Sequence, residues 1–174
     1  SSGGTFYTLE GQAQFDINND GCDELDIAFP NLKLKITNAV DTGYLISGVD
    51  GNFSILLHSD TFTFTPEIEN PEYYVVNPSS IIKPLPDSNG LSFCITPNGI
   101  HNDLEITILP LVAPRPGFDT HYRLTYKNKG NQILSGNINL TFDDAILDLV
   151  SATPSINSQS LNVLHWSYNT LKPF

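Results

Sequence analysis

The chain has 174 residues, 40% of them hydrophobic, including 10 Phe and 7 Tyr, so it has the apolar material for folded cores and a length that fits one large or two small domains. Eight basic residues against 19 acidic ones leave a formal charge of −11, which repels phosphate backbones and anionic lipid surfaces and excludes nucleic acid as a partner. No apolar run is long enough to span a bilayer, so direct membrane insertion is not expected. Ser1-Ser2-Gly3-Gly4 also lacks the features of a signal peptide, and with no methionine anywhere the chain reads as a mature or excised piece whose export signal lies elsewhere.

Apolar and polar residues alternate throughout without the spacing of an amphipathic helix, which predicts an all-β protein. The first strand is expected at 9–15, and the segment after it carries the clearest chemistry. Asp16, Asn18 and Asp20 stand at relative positions 1, 3 and 5, Gly21 at 6 and Cys22 at 7. A hard cation with six to eight oxygen ligands needs closely spaced carboxylates and amides on a tightly curled backbone, and glycine at the sixth position permits the turn. The spacing therefore predicts a Ca2+ site using the Asp16, Asn18 and Asp20 side chains and the Cys22 carbonyl. Position 12 is Ile27 rather than Glu, so Asp26 is the candidate closing carboxylate, with Asp23 or Glu24 binding directly or through water. The plainer alternative is a solvated polar turn. Magnesium suits the loop less well because it prefers a stricter octahedron.

Cys22 and Cys94 are the only cysteines. A disulfide between them is favoured over a pair of buried thiols, because a core thiol is out of place in a polar loop. Further strands are predicted around Leu32, Leu34 and Ile36, where Lys33 and Lys35 take the solvent face, and at 43–47, 52–57, 61–65, 73–76 and 91–95. Asp50-Gly51 marks a turn between two of them.

The turn residues Thr96-Pro97-Asn98-Gly99 place a domain boundary there, giving modules 1–98 and 99–174. The second strand series is expected at 106–111, 122–127, 137–142 and 161–168, with Pro110, Pro114 and Pro116 forcing an extended, edge-lying connection between the first two. Only about 75 residues follow the boundary, whereas a seven-stranded sandwich usually takes about 100, so the second module reads as incomplete and truncated at its C-terminus, or completed by a neighbour's strand.

The order Gly11-x-x-x-Phe15-Asp16-x-Asn18-x-Asp20-Gly21, then Phe29-Pro30-Asn31-Leu32, Asp50-Gly51-Asn52-Phe53-Ser54-Ile55 and Thr61-Phe62-Thr63-Phe64-Thr65-Pro66 resembles the calcium-binding B repeats of Gram-positive Sdr adhesins and related collagen-adhesin B-type, prealbumin-like sandwiches. That resemblance implies a seven-stranded stalk or spacer fold with Asp16, Asn18, Asp20 and the Cys22 carbonyl in the metal pattern. The family's later acids are out of register at Glu24 and Ile27. Some relatives carry a Lys–Asn isopeptide bond, but 9–15 holds no lysine, so none is expected here. Arg115-Pro116-Gly117-Phe118-Asp119, Tyr126-Lys127-Asn128-Lys129-Gly130 and Leu140-Thr141-Phe142-Asp143 are similar to immunoglobulin-like repeats of bacterial surface proteins. Together with Gly21-Cys22-Asp23 and Phe93-Cys94, they resemble large type IX-secreted proteins of Bacteroidota.

No catalytic constellation emerges. His58, His101, His121 and His165 lack zinc spacing, no Gly-x-Ser-x-Gly elbow occurs, and Asp143-Asp144 reads as turn chemistry, because neighbouring strand residues face opposite ways. The expectation is a non-enzymatic, secreted or cell-surface, calcium-stabilised stalk, spacer or adhesin segment. Its partners would be neighbouring domains of a longer chain, another protein or a surface glycan. The alternative is a carbohydrate-binding module of a secreted multidomain enzyme, using Tyr73, Tyr74, Trp166 or Tyr168 as a platform. Parity with Leu164 assigns Trp166 and Tyr168 to a buried face, and Tyr73 and Tyr74 cannot both point inward.

Overall fold

A computed structural model describes residues 5–87 and 89–174. It is all-β, with strands organised as β-sandwich modules, and among the described residues no helix is long and apolar enough to cross a membrane. The chain divides into two compact units, Ser1–His101 and Asn102–Phe174.

Among the described residues the first unit has two sheets. One is built on β1 (Phe6–Phe15), which pairs in parallel with β9 (Leu91–Pro97) and antiparallel with β2 (Ile27–Ala28) and β5 (Asn52–His58), while β7 (Tyr74–Asn77) adds to β9. The other runs in the order β4 (Thr42–Ile46), β3 (Lys33–Thr37), β6 (Thr61–Glu67), β8 (Ile81–Pro84). The period-2 pattern explains the layers. Leu9, Ala13 and Phe15 of β1, Phe53 of β5 and Leu91, Phe93 and Ile95 of β9 are buried, as are Leu34, Ile36, Phe62 and Phe64 of the second sheet. Phe15, Phe29 and Tyr74 pack edge-to-face with centroids 5.9–6.5 Å apart, near the end of β1 where the acidic loop begins.

Lys33 lies on the outer face, as expected, where it bonds Glu67 at 2.6 Å and sits 4.4 Å over the Tyr44 ring. The hydrogen bond and charge of Glu67 raise its pKa. Asp50-Gly51 forms the expected turn. Gly51 has φ +75°, and a Cβ there would lie 2.4 Å from the Ala13 carbonyl, so only glycine lets this turn lie against β1. The Ala13 N–H donates to the Gly51 carbonyl and the Phe29 N–H to the Ala13 carbonyl, which anchors the chain on both sides of the acidic loop.

The second unit holds β10 (Leu104–Pro110) paired with β11 (Tyr122–Asn128), and β12 (Leu134–Thr141), β14 (Val163–Leu171) and β13 (Ser158–Ser160) in that spatial order. Ile138 and Leu164 are buried, and Trp166 and Tyr168 on the same face are half-buried. The Tyr168 ring meets Tyr126 of β11 at 5.5 Å. Along β10 the apolar face is only half covered, with Ile106 48% and Ile108 49% exposed. Asn128 fixes the ends of two strands: its buried amide donates to the Gln132 and Leu171 carbonyls at 2.7 and 3.0 Å and accepts from the Gly130 N–H.

Several expectations are corrected. The proline-rich segment after β10 is a closed hairpin loop rather than an edge-lying connection: Pro110 is the last ladder residue, the Leu111 N–H bonds the His121 carbonyl, and a turn at 115–118 uses Gly117. Tyr73 belongs to a 3₁₀ turn, Pro71–Tyr73, instead of a strand. The strand expected at 161–168 is β14, which starts only at Val163 after a reversal at Asn162 with φ 62°, and β13 on the other side of that reversal was not foreseen. Strands β2 and β8 were not foreseen, being two and four residues long and partly proline-bounded.

Candidate metal centre

Strand β1 ends at Phe15, whose buried ring fixes the position of the next residue, Asp16. Asp16 is itself 1% exposed. Its carboxylate accepts the backbone N–H groups of Asp20 at 3.1 Å and Gly21 at 2.9 Å, so the loop curls around this side chain. Asn19 with φ 61° and Gly21 with φ 105° supply the left-handed backbone the curl needs.

The loop brings carboxylate oxygens of Asp16, Asp20 and Asp26 within 4.8 Å of one another. Asp26 returns to the cluster through a turn in which its carboxylate accepts the Asp23 N–H at 2.8 Å. Asp23 turns away: its carboxylate accepts the Leu25 N–H at 2.7 Å, and its carbonyl takes a bond from the Gln14 side chain at 2.8 Å. Glu24 is exposed and outside the cluster, as is the Asp23 carboxylate. Asn18 stands beside Asp20, its amide nitrogen 2.9 Å from the Asp20 carboxylate and its amide oxygen 3.3 Å from the Asp20 N–H. Cys22 forms a disulfide with Cys94 of β9, with Cα atoms 5.6 Å apart, and so ties the loop to the strand beside β1.

The donor set is hard oxygen throughout, and three carboxylates held this close repel one another unless a cation or protons intervene. Two supports escaped the sequence reading. Gln14 bonds the far side of the loop from the outward face of β1, a position that strand parity alone marks as surface. The Asp50-Gly51 turn was legible as a turn, but not its docking against Ala13.

The remaining candidates stay apart. His58 lies 3.6 Å from Asp60, His101 stacks on Tyr73 at 4.1 Å, and His165 bridges Asn139 and Ser160 at 2.7 and 3.3 Å. Asp143 caps a turn by accepting the Ala145 N–H. Of the aromatics considered as a sugar platform, Tyr74 is buried in the core and Trp166 donates its ring N–H to the Pro154 carbonyl.

No family model and no curated protein sequence matches the chain. Among solved structures, a DUF3823 family protein from Parabacteroides merdae is similar, with 15% identity and a TM-score of 0.43, covering 96% of this chain and 82% of that one.

Proposed function

We propose that this chain is a non-catalytic, calcium-stabilised stalk, spacer or adhesin segment of a larger secreted or surface protein. The observation that carries the reading is the convergence of Asp16, Asp20 and Asp26 on a loop held at its ends by β1 and β2 and at its middle by the Cys22–Cys94 bridge. A disulfide of this kind favours an oxidising compartment, where calcium is plentiful. Asp16, Asp20 and Asp26 would supply carboxylates, Cys22 its carbonyl and Asn18 its amide oxygen after a half-turn of the amide. The ion would relieve carboxylate repulsion and lock the loop, which is a staple rather than a reaction centre.

Isothermal titration with Ca2+ tests this directly. Saturable 1:1 binding, lost in Asp16→Asn and Asp26→Asn and weaker with Mg2+, is the expected result. No heat with either ion at millimolar concentration overturns the reading.

A further inference from the structure

The chain places Asp or Asn directly before glycine at Asp20-Gly21, Asp50-Gly51, Asn89-Gly90 and Asn98-Gly99. At such a pair no Cβ shields the glycine nitrogen, which can close onto the side-chain carbonyl carbon before it when both groups are free to turn. In three of these pairs the fold holds at least one of the two groups. The Gly21 N–H donates to the Asp16 carboxylate at 2.9 Å. The Gly51 N–H donates to the Gly48 carbonyl at 3.0 Å, and the Asp50 carboxylate accepts from the Asn52 backbone and side chain at 3.1 and 3.0 Å. The Asn98 amide donates to the Glu72 carbonyl at 2.9 Å and its backbone N–H to the Tyr73 carbonyl at 2.8 Å, which fastens it to the 3₁₀ turn Pro71–Tyr73.

Asn89-Gly90 is the exception. Both residues are exposed, and they precede β9, whose ladder with β1 begins at Leu91. The Asn89 backbone N–H donates to the Asp87 carboxylate at 3.0 Å. Among the described residues, neither the Asn89 side-chain amide nor the Gly90 N–H has a hydrogen-bond partner.

We propose that Asn89 is a site of spontaneous covalent modification, at which the amide is lost through a cyclic imide with Gly90. The Gly90 nitrogen gives up its proton to solvent base and attacks Asn89 Cγ. The new N–C bond forms as the Cγ–Nδ2 bond breaks, and the amide leaves as ammonia. Water then opens the ring at either carbonyl and leaves aspartate or isoaspartate at position 89. One water is consumed, one ammonia is released, and nothing is oxidised or reduced. The product sets a new carboxylate beside Asp87, which already pairs with Lys83 at 2.9 Å. The isoaspartate form also adds a methylene to the main chain at the entry to β9, the strand that carries Cys94.

Peptide mapping by mass spectrometry tests this on the full chain, held warm at mildly alkaline pH and sampled over time. Conversion of amide to acid at Asn89 should outrun that at Asn98 by about fivefold or more, the factor set by one net hydrogen bond. In guanidinium the fold no longer holds Asn98, and the two rates should converge. Gly90→Ala should slow conversion at position 89 and leave Asn98 unchanged; its Cβ would lie 3.4 Å from the Glu10 carbonyl, an ordinary contact, so the fold admits it. Equal rates at Asn89 and Asn98 in the folded chain overturn the proposal. So does an Asn89 that converts only in guanidinium, or one whose rate Gly90→Ala does not change.

Discussion

Replacing Gly51 by alanine separates two costs that usually arrive together. The residue sits at φ +75°, where a side chain is disfavoured by roughly 1–2 kcal/mol. Its Cβ would also lie 2.4 Å from the Ala13 carbonyl, a backbone atom that cannot swing aside. Relief requires the turn to lift from β1, breaking the bond from Ala13 N–H to the Gly51 carbonyl and disturbing that from Phe29 N–H to the Ala13 carbonyl, a further loss of roughly 1–3 kcal/mol. The total is roughly 2–5 kcal/mol, or at least about 8 °C in melting temperature for a unit of this size. Gly99→Ala is the matched control in the same unit. Its φ is +73°, but the nearest atoms to a new Cβ are those of the His101 side chain at 3.5 Å, so it carries the backbone cost alone. Urea unfolding followed by near-ultraviolet circular dichroism gives both free energies. Equal losses for the two variants would refute the docking argument.

Three further outcomes follow. Replacing both bridge cysteines, Cys22→Ser with Cys94→Ser, releases a loop with a sequence separation of 72 and should cost the first unit about 4.4 kcal/mol in the chain-entropy model, read as a lower urea midpoint; an unchanged midpoint contradicts it. Phe93→Ala empties a site of zero exposure and should cost about 3–5 kcal/mol by the same assay, whereas a loss under 1 kcal/mol would mean the core lies elsewhere. Asp87 accepts the Asn89 N–H and pairs with Lys83 at 2.9 Å, which together lower its pKa. A depressed folded pKa contributes stability that is present above the unfolded value, about 3.9, and is lost as pH falls through the folded one. The midpoint gap between the parent and Asp87→Asn should therefore be full at neutral pH and close below the ordinary carboxylate range; a gap independent of pH down to that range would show that charge is not its origin.

Much of the first unit was legible because its strands alternate cleanly. Leu34 and Ile36 against Lys33 and Lys35, and Phe62 and Phe64 against threonines, fix which face is buried before any coordinates exist. What escaped was set by tertiary partners. Strand β2 exists because the segment after the acidic loop returns to Gln14 and Phe15, and β8 because β6 offers an edge; neither has a period of its own to read. The acidic loop announced its curl through Gly21 and its acids, and Asp26 rather than Glu24 returns to the cluster because the Asp23 turn reverses the chain. The prolines after β10 misled because Pro110 ends a strand, leaving the loop free to close as a hairpin.

Scanning calorimetry of the full chain in calcium and in chelator addresses the central claim most directly. With free Ca2+ at about 100 times the dissociation constant, linkage adds about 2.7 kcal/mol, equivalent to roughly 10–20 °C for a unit of this size. That upward shift is expected for the parent and none for Asp16→Asn. Superimposable parent thermograms in calcium and in chelator would contradict it.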